Sequence, residues 1–176
     1  MGLGLPHSVL RHCVTSPRVF SERRLDATAF DAMPPTTPRW LLCTDGIAPE
    51  AAVLDYIAHG EEIGVDDRYL THHRHTWHAL KCRSTYPILF SYLNKSRPHV
   101  VLNDSDAVPL NTWLVVEPLD GVDPVQLAEV LASDFVAESA RERSRHYGHG
   151  LWKLEPSELR ELPVPWPHSP LPETEC

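Results

Sequence analysis

The hydrophobic positions of this chain fall mostly into short runs. VLRHCV (Val9–Val14) and SPRVF (Ser16–Phe20) have the make-up of strands. After the proline-rich break MPPTTP (Met33–Pro38), RWLLCT (Arg39–Thr44) reads as a buried strand. Between Pro49 and His59 the period changes to a helical one. Pro49 stands near a first helical position, Ala52, Leu54, Tyr56 and Ile57 supply an apolar stripe, and Gly60 offers a C-cap. The centre is richest in strand signals: WHALK (Trp77–Lys81), PILFSY (Pro87–Tyr92), HVVLN (His99–Asn103) and NTWLVVE (Asn111–Glu117). The turn sequences NKSRP and NDSDAVP among them predict an antiparallel meander. A helix follows, with Asp123 as N-cap, Pro124 in the first turn and Gln126 completing a capping box. Leu127, Val130, Leu131 and Phe135 keep helical spacing, and the pattern predicts one helix reaching Arg145, roughly 30 Å long. Tyr147-Gly148-His149-Gly150 would end it, with glycines where a left-handed backbone is cheap. LWKLE (Leu151–Glu155) is a short strand, and Pro156-Ser157-Glu158-Leu159 opens a last helical turn that Pro163 stops.

These elements predict an α+β fold: a mainly antiparallel sheet with one long helix and one or two shorter helices. The 176 residues suit one domain over 39–167, led by a strand and linker segment over 1–38 and followed by a disordered tail over 168–176.

Charge changes the picture. The formal net charge is −8, which opposes indiscriminate nucleic-acid binding. It is unevenly spread. Residues 68–103 hold six basic residues (Arg68, Arg74, Lys81, Arg83, Lys95 and Arg97), no acid, and five of the eleven histidines. This block is either a solvated face or a local anion-binding surface.

Other chemistry is sparse. Cys13, Cys43, Cys82 and Cys176 are far apart in sequence, so no zinc-finger spacing exists, and the first three sit among apolar neighbours. His72, His73, His75 and His78 crowd together, but neither strand nor helix geometry brings three of them to one point, so no metal site is expected. There is no G-x-S-x-G elbow, no phosphate-binding glycine loop and no paired-carboxylate signature, so no catalytic residue is assigned. The opening MGLGLP completes neither a signal peptide nor a myristoylation motif. With no apolar run near membrane-spanning length, a cytoplasmic chain without membrane contact is expected. What remains is a basic and aromatic set: Arg68, Tyr69, Arg74, Trp77, Lys81, Arg83, Tyr92, Lys95, Arg97, Tyr147, His149 and Lys153. Cations interleaved with rings suit phosphates and bases, and equally suit a half-buried sheet with charged edges.

The order of motifs adds to this. GEEIGVDDRYLTHHRHTWHALK is followed by PILFSYLNKSRPHVVLN, then NTWLVVEP, a helix, and YGHGLWKLEPSELRELPVP. Over residues 40–167 this succession resembles the C-terminal region of adenine-N6 DNA methyltransferases of restriction–modification systems. There, an arginine- and tryptophan-bearing strand precedes a Pro-Ile-Leu strand and an asparagine-ended strand. A long helix, a tyrosine–glycine loop, a Lys-Leu-Glu strand and a closing Leu-Pro-Val-Pro follow. His149 stands where the family usually has the middle of three glycines.

The resemblance implies a target-recognition region that grips duplex DNA while a separate catalytic domain binds S-adenosylmethionine and receives a flipped adenine. The glycine-rich cofactor loop and the Asn-Pro-Pro-Tyr motif of that catalytic domain do not occur here. The resemblance therefore implies no cofactor in this chain. It implies double-stranded DNA as partner and a separate methyltransferase catalytic subunit, unless the chain is the remnant of a truncated gene. Arg74, Trp77, Asn103, Tyr147, Gly148, Gly150, Lys153 and Glu155 match the family pattern. The expected DNA-binding set is Arg68, Arg74, Trp77, Lys81, Arg83, Lys95, Arg97, Asn103, Tyr147, His149 and Lys153.

Two other readings stay open. A protein-interaction or structural domain without DNA binding agrees with the net charge; the placement of the six cations on one exposed face or several discriminates it. A His-dependent metal hydrolase requires three histidines to converge.

Overall fold

The computed structural model describes residues 4–166. The disordered tail expected over 168–176 lies outside the described residues. In chain order the elements are β1 (Leu10–Val14), β2 (Arg24–Leu25), α1 (Ala27–Ala32), β3 (Trp40–Leu42), α2 (Ala51–Glu62) and α3 (Tyr69–His72). Then come β4 (Ile88–Ser91), β5 (Leu93–Asn94), β6 (Val100–Asn103), β7 (Val108–Pro109) and β8 (Trp113–Val116). The chain continues through α4 (Pro124–Leu131), α5 (Asp134–Arg143), β9 (Arg145–His146), β10 (Trp152–Lys153) and α6 (Pro156–Arg160).

The four-stranded sheet β2-β6-β4-β8 is the middle layer. Its central strands are buried along their whole length, which is why PILF and VVL read as continuous apolar runs. Leu89 and Val101 face a core shared with Cys13, Val14, Phe30 and Trp113. Ile88, Phe90, Val100 and Leu102 face the opposite way, onto Leu131, Val136, Ala140, Trp152 and Leu154. A second sheet, β3-β1-β7, carries α2 through Val9, Val53 and Ile57. A third, β5-β10-β9, closes the C-terminal end.

The α+β class holds, with five differences of detail. The single long helix is two. Ala132 ends α4, and Ser133 (φ −66°, ψ 157°) leaves the helical region, its hydroxyl accepting from the Val136 N–H at 3.4 Å to start α5. Helical spacing survives the break because Val136 and Ala140 bury the same side as Leu131. The four central runs do not form a meander: β4 pairs antiparallel with β6 on one side and β8 on the other, and WHALK is not a strand. SPRVF forms no strand either. Gly60 lies inside α2 rather than capping it, and a Cβ there would come within 2.7 Å of the Trp77 ring. Glycine is needed at that position for the indole to dock. Where WHALK was expected to pair as a strand, its tryptophan instead fills a notch in a helix.

Candidate nucleic-acid interface

The C-terminal sheet brings separated cations onto one face. α5 stops at Arg143, and the Ser144 hydroxyl donates to the Ala140 carbonyl at 2.6 Å. The chain then runs as β9 and returns as β10. The Tyr147 N–H donates to the Leu151 carbonyl at 2.7 Å, and the Leu151 N–H to the Gly148 carbonyl at 3.4 Å. His149 (φ 62°, ψ 28°) and Gly150 (φ 72°) are both left-handed, the marks of a type I′ turn, whose twist matches a hairpin. Gly148 is not left-handed, so the strain falls on His149.

Register fixes what the hairpin shows. Lys153 lies between Arg145 of β9 and Leu93 of β5, while Trp152 lies between His146 and Asn94. Since side chains alternate along a strand, Trp152 and Asn94 enter the core and Arg145, Lys153 and Leu93 share the outer face. One step along β9 and β10, the extended Tyr147 and Leu151 continue that face. Arg145, Lys95 and Tyr147 are exposed, and Tyr147 leaves 50% of its surface open beside the turn.

Lys153 is the fixed member. Its Nζ sits 2.7 Å from Glu155 Oε1 and 4.8 Å from the Tyr92 ring centroid, and the Tyr92 hydroxyl donates to Glu155 Oε2 at 3.5 Å. The Glu155 hydrogen bond, then that of Tyr92, holds the ammonium above the ordinary lysine range. The same Lys153 bond holds the Glu155 carboxyl below the carboxylate range. Lys153 therefore keeps its charge at any physiological pH. Glu155 also closes the capping box of α6 with Glu158, which ties the strand to the helix behind it.

The turn offers a direct test. A Cβ on Gly150 would meet no atom within 4 Å, so Gly150→Ala adds only left-handed strain. Denaturant unfolding is expected to show a loss of about 1 kcal/mol; an unchanged midpoint would mean that the turn is not held in this form.

The other expected contact residues are dispersed. Arg68, Arg74, Lys81 and Lys95 are exposed, with no carboxylate partner among the described residues. Arg83 is paired with Glu117, at the end where β4 begins and β8 finishes. Arg97 lies beyond the other end of β4. Its guanidinium donates to the Ala132 carbonyl at 2.6 Å and meets Asp134 Oδ1 at 2.9 Å, capping the break between α4 and α5. The six cations of the basic block therefore form no single face. Trp77 docks on α2, its Nε1 donating to Glu61 Oε1 at 3.2 Å. Asn103 is buried: its Nδ2 donates to the Tyr86 and Ala107 carbonyls, both at 3.0 Å, and its Oδ1 accepts from Ser105 at 2.9 Å. Contrary to its place in the expected DNA-binding set, Asn103 belongs to the interior, with no donor free for DNA.

Arg145 was missed because the helix was expected to run through it, where a cation complements the dipole. The alternation Arg145-x-Tyr147 followed by Leu151-x-Lys153 about a glycine-bearing turn was the available hairpin signal.

The histidines disperse as well. His73 Nδ1 lies 2.7 Å from the Tyr69 carbonyl, and His78 Nδ1 lies 2.8 Å from the Thr44 hydroxyl. Among the described residues no three His, Cys, Asp or Glu side chains converge as metal ligands. Burial pushes the Cys13 thiol up to about 11 and the Cys43 thiol up to about 12, so neither offers a thiolate near neutral pH. Among the described residues no helix is long and apolar enough to cross a membrane.

Comparison with known proteins identifies related sequences. The chain is 28% identical over 113 residues to type II methyltransferase M.AccI of Acinetobacter calcoaceticus, covering 62% of this chain and 21% of that protein. It is 30% identical over 105 residues to type II methyltransferase M.XamI of Xanthomonas campestris pv. amaranthicola, covering 58% of this chain and 19% of that protein. The matched stretch thus spans about a fifth of each relative. Residues 11–174 match the family model of the C-terminal domain of type II methyltransferase M.Eco57I, and with that span the chain belongs to the family of type II methyltransferase C-terminal domains.

Proposed function

We propose that this chain is a DNA-binding target-recognition module of the adenine-N6 class, which grips duplex DNA beside a separate catalytic domain. In this reading S-adenosylmethionine and the chemistry belong to that other domain, and no residue here is catalytic. The observation that carries the reading is the outer face of β5-β10-β9. It sets Arg145 and Lys153 beside the Tyr147–His149 turn, on a sheet anchored by Trp152, with the exposed Lys95 one residue past β5. A two-stranded ribbon with cations on one face fits a DNA groove, the cations meeting phosphates and the turn meeting base edges. Screening confines the effect of the −8 net charge, since at physiological salt a charge acts over about 8 Å. Arg68, Arg74 and Lys81 add phosphate contacts outside the hairpin.

Hydrogen exchange of the chain with and without a mixed-sequence duplex, at low salt, tests the placement. Protection over residues 144–154 is expected. Protection confined to other segments would move the interface, and no protection anywhere would favour the interaction-domain reading.

A further inference from the structure

A second site lies on the other three-stranded sheet. A cavity of about 300 Å³ opens over the first half of β1, lined by His7, Arg11, His12, Trp40 and Asp106 among others. β7 joins β1 only at Cys13 and Val14, so no strand covers this edge alongside Leu10–His12. Trp40 is held without being covered. The His12 ring packs on it at 4.4 Å, the His7 ring meets it edge-on at 5.8 Å, and His12 itself stacks on Phe30 at 4.5 Å. The indole nonetheless leaves 49% of its surface open. Across the cavity Asp106 adopts a left-handed backbone (φ 53°), which aspartate tolerates better than most residues but which still has a cost. Its exposed carboxylate has no cationic partner among the described residues.

A half-open indole and an unpaired carboxylate around one small cavity match one ligand chemistry. We propose that this pocket binds an unpaired nucleobase, stacked on Trp40, with an exocyclic amino group toward Asp106. A single strand and a free nucleotide both supply that group. The carboxylate only accepts, so adenine, cytosine and guanine, which carry an exocyclic amino donor, are preferred over thymine, which has none. The site is separate from the hairpin face and does not depend on it.

The test uses the full chain with ¹⁵N-labelled tryptophan, titrated with a short oligo-dA, a short oligo-dT and dAMP. The Trp40 indole resonance, identified by its loss in Trp40→Phe, is expected to shift with oligo-dA and less with oligo-dT. Trp40→Ala is expected to weaken oligo-dA binding about tenfold, while Trp40→Phe, which keeps a ring, retains most of it. The four remaining indole resonances report whether each variant is folded. Asp106→Ala is expected to remove the preference for dA. A shift with dAMP at similar affinity identifies a free nucleotide as a sufficient source; a shift with the oligomer alone identifies a single strand. No movement of the Trp40 resonance with any probe, or equal affinity in Trp40→Ala, overturns the proposal.

Discussion

Trp152→Ala is expected to cost about 4 kcal/mol of stability, the largest single loss in the domain. Trp152 is 1% exposed and fills the layer between the four-stranded sheet and the helices α5 and α6. It is also the inward residue of β10, so the cavity would lie directly beneath the face that carries Lys153 and Arg145. Its Nε1 makes no hydrogen bond to any described residue, so removing the ring breaks no described protein hydrogen bond. Trp152→Phe is therefore expected to lose about half as much, since it leaves a smaller void and breaks no bond. Equilibrium unfolding in urea checks both. A loss below about 1 kcal/mol for Trp152→Ala would show that β10 is not part of the core.

Asn103→Ala comes second, at about 3 kcal/mol. Two buried carbonyls, Tyr86 and Ala107, would lose their donor, and Ser105 its acceptor. Asn103→Asp keeps the shape but turns a carboxylate oxygen toward those carbonyls, so it is expected to be no better. Duplex affinity per folded molecule should be unchanged in either variant. A variant that folds normally but loses duplex affinity would return Asn103 to the DNA-facing surface.

Much of the fold was legible in the sequence. The apolar runs over β4, β6 and β8 were readable because both faces of their sheet are buried. The caps Asp123 and Pro124 marked the start of α4. What escaped notice was set by residues distant in sequence. The carbonyl left open by the break at Ser133 is met by Arg97, 35 residues away from Ala132. WHALK carries strand composition, yet Trp77 is captured by a notch at Gly60. The site was legible in part. Tyr147, His149 and Lys153 come together on the β9–β10 hairpin, while Arg83, Arg97 and Lys153, free cations by sequence, are each held in an ion pair. A sequence shows which residues carry charge; their pairing is decided by the fold.

If the outer face of β5-β10-β9 holds duplex DNA, its cations must release counterions on binding. The most direct measurement is the affinity of the chain for a mixed-sequence duplex across a salt series, beside the Lys95→Gln/Arg145→Gln/Lys153→Gln variant. Binding is expected to weaken steeply with salt. The log–log slope of the variant is expected to be shallower by up to about 2.7, at about 0.9 for each phosphate that the three cations neutralise. Equal slopes and equal affinities, with the variant folded, would contradict a DNA-binding role for this face.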